Sequence, residues 1–493
     1  MDIKTKQGPL VAKRRSSVFY SEKSRVITRF YTPSPEIRTK EVIDRVLRLS
    51  DEEVDTLLDH VIREFGDRHR YFRQTLEKHF LKIERYIPEG ETLTDERQLL
   101  MGSYFTSEYS VEAAAIFNPS IVEDPNQNGV PEGSKKFIMS FRVTGEGHIS
   151  SIEFRSGRID EDDNIFFDPV SKYIETPELY TNRKYSRHLF HLKLNEMGAC
   201  NEVTDCLLNE LDEDFTFDEF KEKIDSLDVA CDLDENHKND AKNMALWLAK
   251  SNYIIKFHPD HQISERVIFP VSENESRGIE DARFVRFVDD DGSVIYYATY
   301  TGYNGFTILP QLIETRDFCT FRIITLNGKA VQNKGMALFP RKINGKYAMI
   351  SRQDGVNIHL MYSDNIHFWQ ESSIMQKPLH PWEFVQIGNG GSPIETKAGW
   401  LMLTHGVGPM RKYTLGIELL DLNDPSKIIG RLDDPILAPT QQEREGYVPN
   451  VVYTCGGIIH NDELIIPYAV ADQRTSIATL SVSEVLDRMG HPL

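Results

Sequence analysis

The feature that most constrains the fold of this chain is a long succession of short strand patterns, each ended by turn residues. In residues 343–350 and 398–403, apolar and polar residues alternate next to Asn-Gly or Ala-Gly, a pattern typical of β-hairpins. Similar patterns recur about every eight to twelve residues over roughly 100–196 and 253–493. Turns at this spacing leave no room for long helices. The sequence therefore predicts an all-β body in these segments.

A looser repeat suggests how the strands are grouped. Corners containing Asp recur in residues 315–318, 363–369 and 421–425. Spacings of roughly 50 to 60 residues, with about four strands in each, are typical of propeller blades. Roughly 340 residues of β structure correspond to about five or six blades. Because the inner strands of a propeller surround one pocket, residues that are distant in sequence are expected to meet there.

Two segments have helical periodicity instead. In residues 39–86, apolar residues recur at spacings of three and four, and Ser50 with Glu53 has the form of a capping box. Thr216 with Glu219 repeats this signal in a second block. We therefore expect an N-terminal arm and helical extension at residues 1–100, and a β-propeller catalytic domain at residues 101–493 with a helical insertion at about 198–252.

The role of these additions stays open at the sequence level. Residues 1–36 are polar and basic, which fits either a poorly ordered arm or a strap across another surface. The helical extension is an oligomerisation element, a lid or a packing appendage, and the insertion is a lid or a structural insertion. The amphipathic N-terminal helices favour a homo-oligomer.

Charge and cysteine usage exclude several classes of function. The net charge of -19 and the pI of about 5.3 argue against nucleic acid or an anionic membrane as a partner. The five cysteines form no CxxC pair and no metal spacing, so we expect free thiols, a reducing compartment and no bound metal. The first residues are charged and lack an apolar signal region, and no run of about 18 apolar residues occurs. A cytoplasmic protein is expected.

The chemistry is concentrated in residues 278–283. This hexapeptide places Glu280, Asp281 and Arg283 at the start of an alternating, strand-like run. A carboxylate at such a strand entrance can act as a general acid, and the neighbouring guanidinium can hold a substrate hydroxyl. The alternative is a surface pair of Asp and Arg, worth less than about 1 kcal/mol.

Further polar clusters at strand ends can be compared, together with the hexapeptide, with the motifs of known families. Together with residues 112–119, 338–340, 399–401, 405–407 and 449–453, the hexapeptide resembles glycoside hydrolase family 130, whose members are five-bladed propeller enzymes acting on β-mannosides. The resemblance covers most of the β body and neither helical block. It implies an all-β fold, a five-bladed β-propeller with an N-terminal helical extension and a helical insertion.

The resemblance also implies roles for individual residues. Asp281 is implied to be the general acid of an inverting mechanism, with its proton passing through the mannose 3-hydroxyl. The positions implied to hold the mannose are Asn118, Arg142, Arg283 and Asp472. The positions implied to bind inorganic phosphate are Asn333, Lys334, Arg352, His405 and Tyr413.

The activity implied is reversible phosphorolysis of β-1,2-linked mannosides to α-mannose 1-phosphate, with inorganic phosphate as co-substrate and no cofactor. Gln332 and Gln386 stand where some phosphorylases of the family have Arg and Lys, which weakens phosphate binding because charge-assisted hydrogen bonds are about twice as strong as neutral ones. The residues that can restore this charge are Lys334, Arg411 and Lys412.

Three alternatives accompany this interpretation. A β-1,2-mannosidase would hydrolyse the same bond and needs a carboxylate base, for which Glu383, Glu395 and Glu443 are candidates. A propeller that binds glycan without catalysis is the second alternative. The third concerns single residues: His405 is then a core histidine, and the tyrosines at 296, 297 and 300 stack on sugar or, more simply, pack in the core.

Overall fold

The structure is a computed structural model that describes residues 8–180, 184–226, 235–305 and 308–491. Most of its regular structure is β-strand, and the helices are concentrated in two blocks. The expected β body is confirmed, whereas the chain as a whole is mostly β rather than all-β. Within the described residues, no helix combines the length and the apolar composition needed to cross a bilayer.

The N-terminal segment begins with strands and continues with helices. Its elements are β1 (Lys13–Phe19), β2 (Val26–Phe30), α1 (Glu36–Leu47), α2 (Asp51–Phe65), α3 (Phe72–Ile83), α4 (Asp95–Tyr104) and β3 (Thr106–Ser110), which pairs with β2. The helices bury their apolar faces against one another. The predicted capping box of Ser50 and Glu53 is confirmed, with both hydrogen bonds formed. Helix α4 runs past the predicted boundary at residue 100.

The helical insertion follows a first group of strands. These strands are β4 (Ala115–Glu123), β5 (Lys135–Thr144), β6 (Ser150–Ile159), β7 (Ile165–Phe167) and β8 (Glu178–Tyr180). The insertion contains β9 (Lys184–Ser186), α5 (Arg187–Glu196), α6 (Glu202–Asn209), β10 (Asp214–Thr216), α7 (Phe217–Ser226) and α8 (Glu235–Lys250). It begins earlier than the predicted residue 198, because Ser186 caps α5 by accepting a hydrogen bond from the Leu189 N–H. The capping box of Thr216 and Glu219 is confirmed.

The largest sheet combines strands from both sides of the insertion. The additional strands are β11 (Tyr253–Lys256), β12 (Val267–Ile268), β13 (Gly278–Val288), β14 (Val294–Tyr303), β15 (Ile308–Thr315) and β16 (Thr320–Thr325). The sheet runs in the order β4-β5-β6-β13-β14-β15-β16-β11-β8, with β7 and β12 attached to β6. The only contact in register between β6 and β13 among the described residues is a parallel one at Gly278 and Ser150.

The rest of the chain forms three smaller sheets. The first contains β17 (Ala337–Leu338), β18 (Tyr347–Ser351), β19 (Ile358–Ser363) and β20 (Ser372–Gln376). The second contains β21 (Gln386–Asn389), β22 (Ile394–Glu395), β23 (Trp400–Val407), β24 (Tyr413–Leu420) and β25 (Ile428–Arg431). The third contains β26 (Val452–Tyr453), β27 (Ile458–His460), β28 (Glu463–Val470) and β29 (Arg474–Ser481), together with β1, and helix α9 (Val482–Arg488) follows it. Apolar clusters fill the spaces between these sheets.

The N-terminal strand is a strap rather than a poorly ordered arm. Strand β1 pairs antiparallel with β29, with Lys13 opposite Thr479 and Phe19 opposite Thr475. The chain then enters the body at Arg25, whose guanidinium is 1% exposed and lies 2.7 Å from Glu112 and 2.9 Å from Glu153. This pairing was not predictable from polarity alone, because it joins segments at opposite ends of the sequence.

Candidate active site

Two β-bulges on different strands bring the central side chains together. The register of β4 against β5 shifts between Phe117 and Ser120, and that of β13 against β14 shifts between Glu280 and Arg283. The bulges leave Asn118 and Asp281 in the left-handed region, with φ of 46° and 55°. Bulges commonly re-aim a side chain next to an active site. Here the Asn118 Nδ2 donates a hydrogen bond of 2.6 Å to Asp281 Oδ1.

Two cations surround the acidic pair of the hexapeptide. Arg142 donates to Glu280 Oε1 at 2.8 Å and to Asp281 Oδ1 at 3.3 Å. The ammonium of Lys334 lies 3.6 Å from Glu280 Oε2. The side chains of Arg142, Glu280 and Asp281 are only 17–20% exposed. This is therefore a half-buried charge cluster, and the surface pair considered above is excluded.

The pKa values of two carboxyl groups in the site are displaced in opposite directions. Burial acts to raise the pKa of Asp281, but the charges of Arg142 and Lys334 outweigh it and hold the pKa below its ordinary value. Burial, and then the negative charge of Asp281, raise the pKa of Asp472 to about 6. Asp472 also has a left-handed backbone, with φ of 51°. Asp281 is consequently ionised near neutral pH, and Asp472 takes up the first proton as the pH falls.

The residues described so far form a first layer of the site. A second layer of residues begins at Arg283, which is 2% exposed. Its Nη2 donates to the Tyr453 hydroxyl at 2.6 Å, and its Nη1 donates to Asn389 Oδ1 at 3.4 Å. The peptide carbonyl of Asn389 in turn lies 3.2 Å from His405 Nδ1. Arg283 therefore connects the carboxylates around Asp281 to the residues around His405.

His405 is neutral, and the hydrogen bonds determine its tautomer. Burial, and then the charges of Arg352 and Arg283, hold its pKa well below the ordinary value. Its Nε2 lies 3.2 Å from Arg352 Nη1. Because a guanidinium only donates and a carbonyl only accepts, Nε2 is the acceptor and the proton is on Nδ1. His405 thus holds Arg352 in place, which a histidine packed in an apolar core does not do.

The approach of His405 depends on a glycine in the neighbouring strand. Gly388 faces His405 in the pairing of β21 with β23. A Cβ at Gly388 would lie 2.5 Å from the imidazole Cε1, far inside van der Waals contact. Glycine at this position therefore allows the ring to lie flat against the strand.

Tyr413 continues this layer. Its ring is stacked on His405 at 6.0 Å, and its hydroxyl accepts a hydrogen bond of 3.4 Å from Gln386 Nε2. The guanidinium of Arg411 lies 6.0 Å from the Tyr413 ring centre. Gln386 therefore lies inside the cluster, and Arg411 is a cation within reach of it.

Asn333 and Lys334 enter from the segment before β17. Asn333 is left-handed, with φ of 63°, and its Nδ2 lies 3.3 Å from the position of a Cβ on Gly355. Two residues later, a Cβ on Gly335 would lie 3.5 Å from Arg283 Nη1 and 3.6 Å from Arg352 Cβ. The segment thus passes close to both arginines.

Eight of the ten residues predicted for the site are joined by these contacts, Asp472 acts on them electrostatically, and Asn333 directly precedes Lys334. Asn118, Arg142, Asp281 and Lys334 form the first layer, with Asp472 joined to it electrostatically. Arg283, Asn333, Arg352, His405 and Tyr413 form the second. Their positions agree with a common site, whereas their individual roles stay predictions.

Sequence reasoning assigned no role to three further participants. Glu280 was visible in the hexapeptide, and Tyr453 ends the stretch at 449–453 that contributes to the family resemblance. Asn389 carries no sequence signal, because its function depends on contacts with Arg283 and His405 through space.

The tyrosines at 296, 297 and 300 are 1–5% exposed, and Tyr300 donates to the buried Glu275 at 2.5 Å. They pack in the core and do not form a sugar platform.

The three glutamates considered as hydrolytic bases are bound elsewhere. Glu383 lies 2.7 Å from Arg431, Glu395 lies 2.8 Å from Arg341, and Glu443 lies 2.7 Å from Arg14. Glu383 also accepts hydrogen bonds from the N–H groups of residues 379 and 380. Each carboxylate therefore has a structural partner outside the two layers.

Several atoms of the site have unfilled hydrogen-bonding capacity. Buried polar groups are normally paired, yet four buried atoms here have no partner within the described residues. They are Asn118 Oδ1, Arg142 Nε, Arg283 Nε and Arg352 Nε. A polar ligand with hydroxyl groups and anionic oxygens matches this arrangement of three donors and one acceptor.

Comparison with known proteins gives a consistent result. Residues 237–491 match a family model described as beta-1,4-mannooligosaccharide phosphorylase. The chain is 36% identical over 233 residues to 1,2-beta-oligomannan phosphorylase of Thermoanaerobacter sp. (strain X514), an alignment that covers 45% of this chain and 75% of that protein. It is 32% identical over 234 residues to beta-1,2-mannobiose phosphorylase of Listeria innocua serovar 6a, covering 45% and 63%.

A solved structure is also similar. Beta-1,2-mannobiose phosphorylase from Listeria innocua, in complex with beta-1,2-mannobiose, aligns with a TM-score of 0.46 and 24% identity, over 78% of this chain and 93% of that one. The matched family segment contains Asp281 and the second layer. Asn118 and Arg142 lie outside it and reach the site through space.

Proposed function

Because this chain belongs to glycoside hydrolase family 130, we propose that it is an inverting β-mannoside phosphorylase, which splits β-1,2-linked manno-oligosaccharides reversibly with inorganic phosphate to give α-mannose 1-phosphate. The β-1,2 linkage is the one named for three of the relatives, and another relative is named for β-1,4-linked substrates. Inorganic phosphate is the co-substrate.

We propose that the sheets are the five blades of a β-propeller. Two blades make up the largest sheet and divide between β6 and β13, where a single parallel register contact joins them in the part of the chain that the structure describes. The three smaller sheets are the other blades. The N-terminal β1 completes the last of them by pairing with β29, which joins the two ends of the chain as closure of a propeller requires. Residues 1–100 and the helical insertion are additions to this domain.

Asp281 is the general acid of the mannose site, and Lys334 beside it belongs to the phosphate site. Asn118, Arg142, Arg283 and Asp472 hold the hydroxyl groups of the mannose beside Asp281. A phosphate oxygen attacks the anomeric carbon from the face opposite the glycosidic bond, and that bond breaks. The leaving oxygen receives the proton of Asp281 through the mannose 3-hydroxyl, so the products are α-mannose 1-phosphate and the shortened sugar.

Asp281 must be protonated to act as an acid, although Arg142 and Lys334 keep it ionised in the free protein. Bound phosphate raises the pKa of Asp281. It brings close to two negative charges next to Arg283, and a nearby like charge raises the pKa of a carboxyl group. Binding of the co-substrate thus prepares the acid for proton transfer.

One observation carries the choice of phosphorolysis. Within the described residues, neither Arg283 nor Arg352 lies within 4 Å of a carboxylate oxygen, although Arg283 is almost completely buried. The charge of Asp281 acts on Arg283 without direct contact, and a buried charge that lacks a directly bonded counter-ion is costly. Two neighbouring guanidiniums therefore form a site for a small anion, and their planar donors suit phosphate. A hydrolase would instead need a free carboxylate to activate water.

The proposal predicts a specific effect of Arg352→Gln. The substitution removes a charged donor from phosphate and leaves the first layer intact. The KM for phosphate should rise about 10- to 150-fold, which corresponds to about 1.5–3 kcal/mol for a hydrogen bond to a charged group. The KM for β-1,2-mannobiose should change little. Initial rates at varied concentrations of each substrate measure both constants.

The matched control is Arg341→Gln, which removes an arginine that is 39% exposed and paired with Glu395. It should leave both KM values unchanged. If the Arg352→Gln variant keeps the wild-type KM for phosphate, the assignment of the second layer as a phosphate site is contradicted.

A further inference from the structure

The helical insertion brings three different metal-binding side chains together at its surface. His191 lies on α5, Asp205 lies on α6, and Cys200 lies in the turn between the two helices. The imidazole Nε2 is 3.3 Å from Asp205 Oδ1, and all three ligand atoms lie within 4.8 Å of one another. We propose that His191, Cys200 and Asp205 bind a zinc ion that clamps α5 to α6.

The distances fit a tetrahedral ion. Zinc bonds to nitrogen and oxygen are about 2.0–2.2 Å long, so a tetrahedral angle separates two such ligands by about 3.3–3.5 Å. The measured distance from His191 to Asp205 falls in this range. The sulfur of Cys200 belongs about 3.5–3.7 Å from the other two, and it lies at most roughly 1 Å outside this spacing. The Cys200 thiol lies 3.7 Å from the His191 carbonyl oxygen, and it would have to turn from this contact to bind the ion.

The donor set selects the type of metal. A thiolate, an imidazole and a carboxylate together suit zinc, whereas calcium and magnesium prefer sites made of oxygen alone. Three protein ligands leave the fourth position to water. The side chains of His191 and Asp205 are 48% and 53% exposed, so an ion can enter directly from solvent.

The ion would hold α6 to α5, the helix that is attached to the body. Helix α5 is anchored there by Lys193, whose Nζ donates to the carbonyl of Leu326 at 3.0 Å, and by Glu196, which accepts from the N–H of Gly328 at 2.6 Å. This anchored segment leads to Asn333. The clamp therefore acts on the stability of the insertion, and it does not depend on the proposed phosphorylase activity.

Titration of the metal-free full-length protein with Co²⁺ tests the site. Cobalt replaces zinc in such sites and reports a thiolate ligand by its near-ultraviolet charge-transfer band. We expect about one ion per chain, displacement of Co²⁺ by Zn²⁺, and a higher melting temperature with Zn²⁺. Cys200→Ser should abolish the thiolate band, and His191→Ala should weaken binding at least about tenfold.

The insertion supplies matched controls. Cys206 and His188 are exposed residues of α6 and α5 outside the cluster, so Cys206→Ser and His188→Ala should bind Co²⁺ as the wild type does. In the wild-type chain, Zn²⁺ should also protect Cys200 from alkylation while Cys206 stays reactive, a result that depends on no variant. Absence of a thiolate band, or equal loss of binding in the Cys206→Ser control, would overturn the proposal.

Discussion

At the scale of single residues, Asp281 and Asp472 show how one site separates two carboxyl groups. Asp281 receives a hydrogen bond from Asn118 and lies beside Arg142, and its pKa is lowered despite burial. Asp472 is buried near the negative charge of Asp281, and its pKa rises to about 6. Environments that push two titratable groups apart are typical of acid and base assignments in active sites.

This difference predicts the pH dependence of the reaction. As the pH falls through about 6, Asp472 becomes protonated and loses the charge with which, in the proposed function, it accepts hydrogen bonds from mannose. The value of kcat/KM for β-1,2-mannobiose should therefore fall on the acidic side with an inflection near pH 6, because kcat/KM reports groups of the free enzyme. In Asp472→Asn this inflection should disappear. Initial rates between about pH 4.5 and pH 8 measure it.

Substitution of the exposed Asp434 by Asn serves as the control and should leave the pH profile unchanged. If Asp472→Asn retains an inflection near pH 6, another group is responsible for it.

The sequence supported Asp281, Arg283 and Asp472 as candidates through their motifs. It gave no access to their pKa values, because these depend on charges such as those of Arg142 and Lys334, which are distant from Asp281 in sequence.

At the scale of secondary-structure elements, the sequence predicts features that depend on neighbouring residues, such as helix caps. It does not predict strand pairings between distant segments. The capping boxes at Ser50 and Thr216 were predictable because all their atoms lie within four residues. The strand β1 was not, since its partner β29 lies at the other end of the sequence. The early start of α5 was also missed, because Ser186 provides its cap within a segment whose pattern resembled the β body.

The strap gives a stability prediction for Arg25→Ala. Arg25 lies between the buried Glu112 and Glu153, with Arg155 completing the cluster at 2.6 Å from Glu112. Removing one partner from a buried ionic cluster leaves uncompensated charge and costs about 3–5 kcal/mol. The free energy of unfolding, measured with urea, should fall by about this amount.

Arg45→Ala is the comparison for this measurement. Arg45 is 70% exposed and forms an ion pair with Glu41 one turn away in α1, and such pairs contribute about 0.3–0.5 kcal/mol. Equal losses of stability in Arg25→Ala and Arg45→Ala would show that the strap is not held by the buried cluster.

At the scale of the whole molecule, the overall charge and the charge of the site have opposite signs. The net charge of -19 repels phosphate, but salt screens this repulsion over about 10 Å. In the proposed function, Arg283 and Arg352 contact phosphate directly, and among the described residues no carboxylate oxygen lies within 4 Å of either guanidinium. An acidic protein can thus bind an anion at one local site. The amino-acid composition alone does not reveal such a site.

The sequence predicted the β body and its two helical blocks because strand and helix periodicities are local. The number of blades stays a prediction, since the repeat supported about five or six. Family resemblance supplied the candidate residues from distant parts of the chain. The connections through Asn389 and Tyr453 could not be predicted, because side chains meeting across sheets leave no fixed spacing in the sequence.

The most direct test of the account is the product formed from β-1,2-mannobiose and β-1,2-mannotriose with and without inorganic phosphate. We predict α-mannose 1-phosphate only when phosphate is present. Asp281→Asn serves as the control and should slow its formation at least about 100-fold through loss of the general acid. Release of free mannose at the same rate without phosphate would contradict the account and identify the protein as a hydrolase.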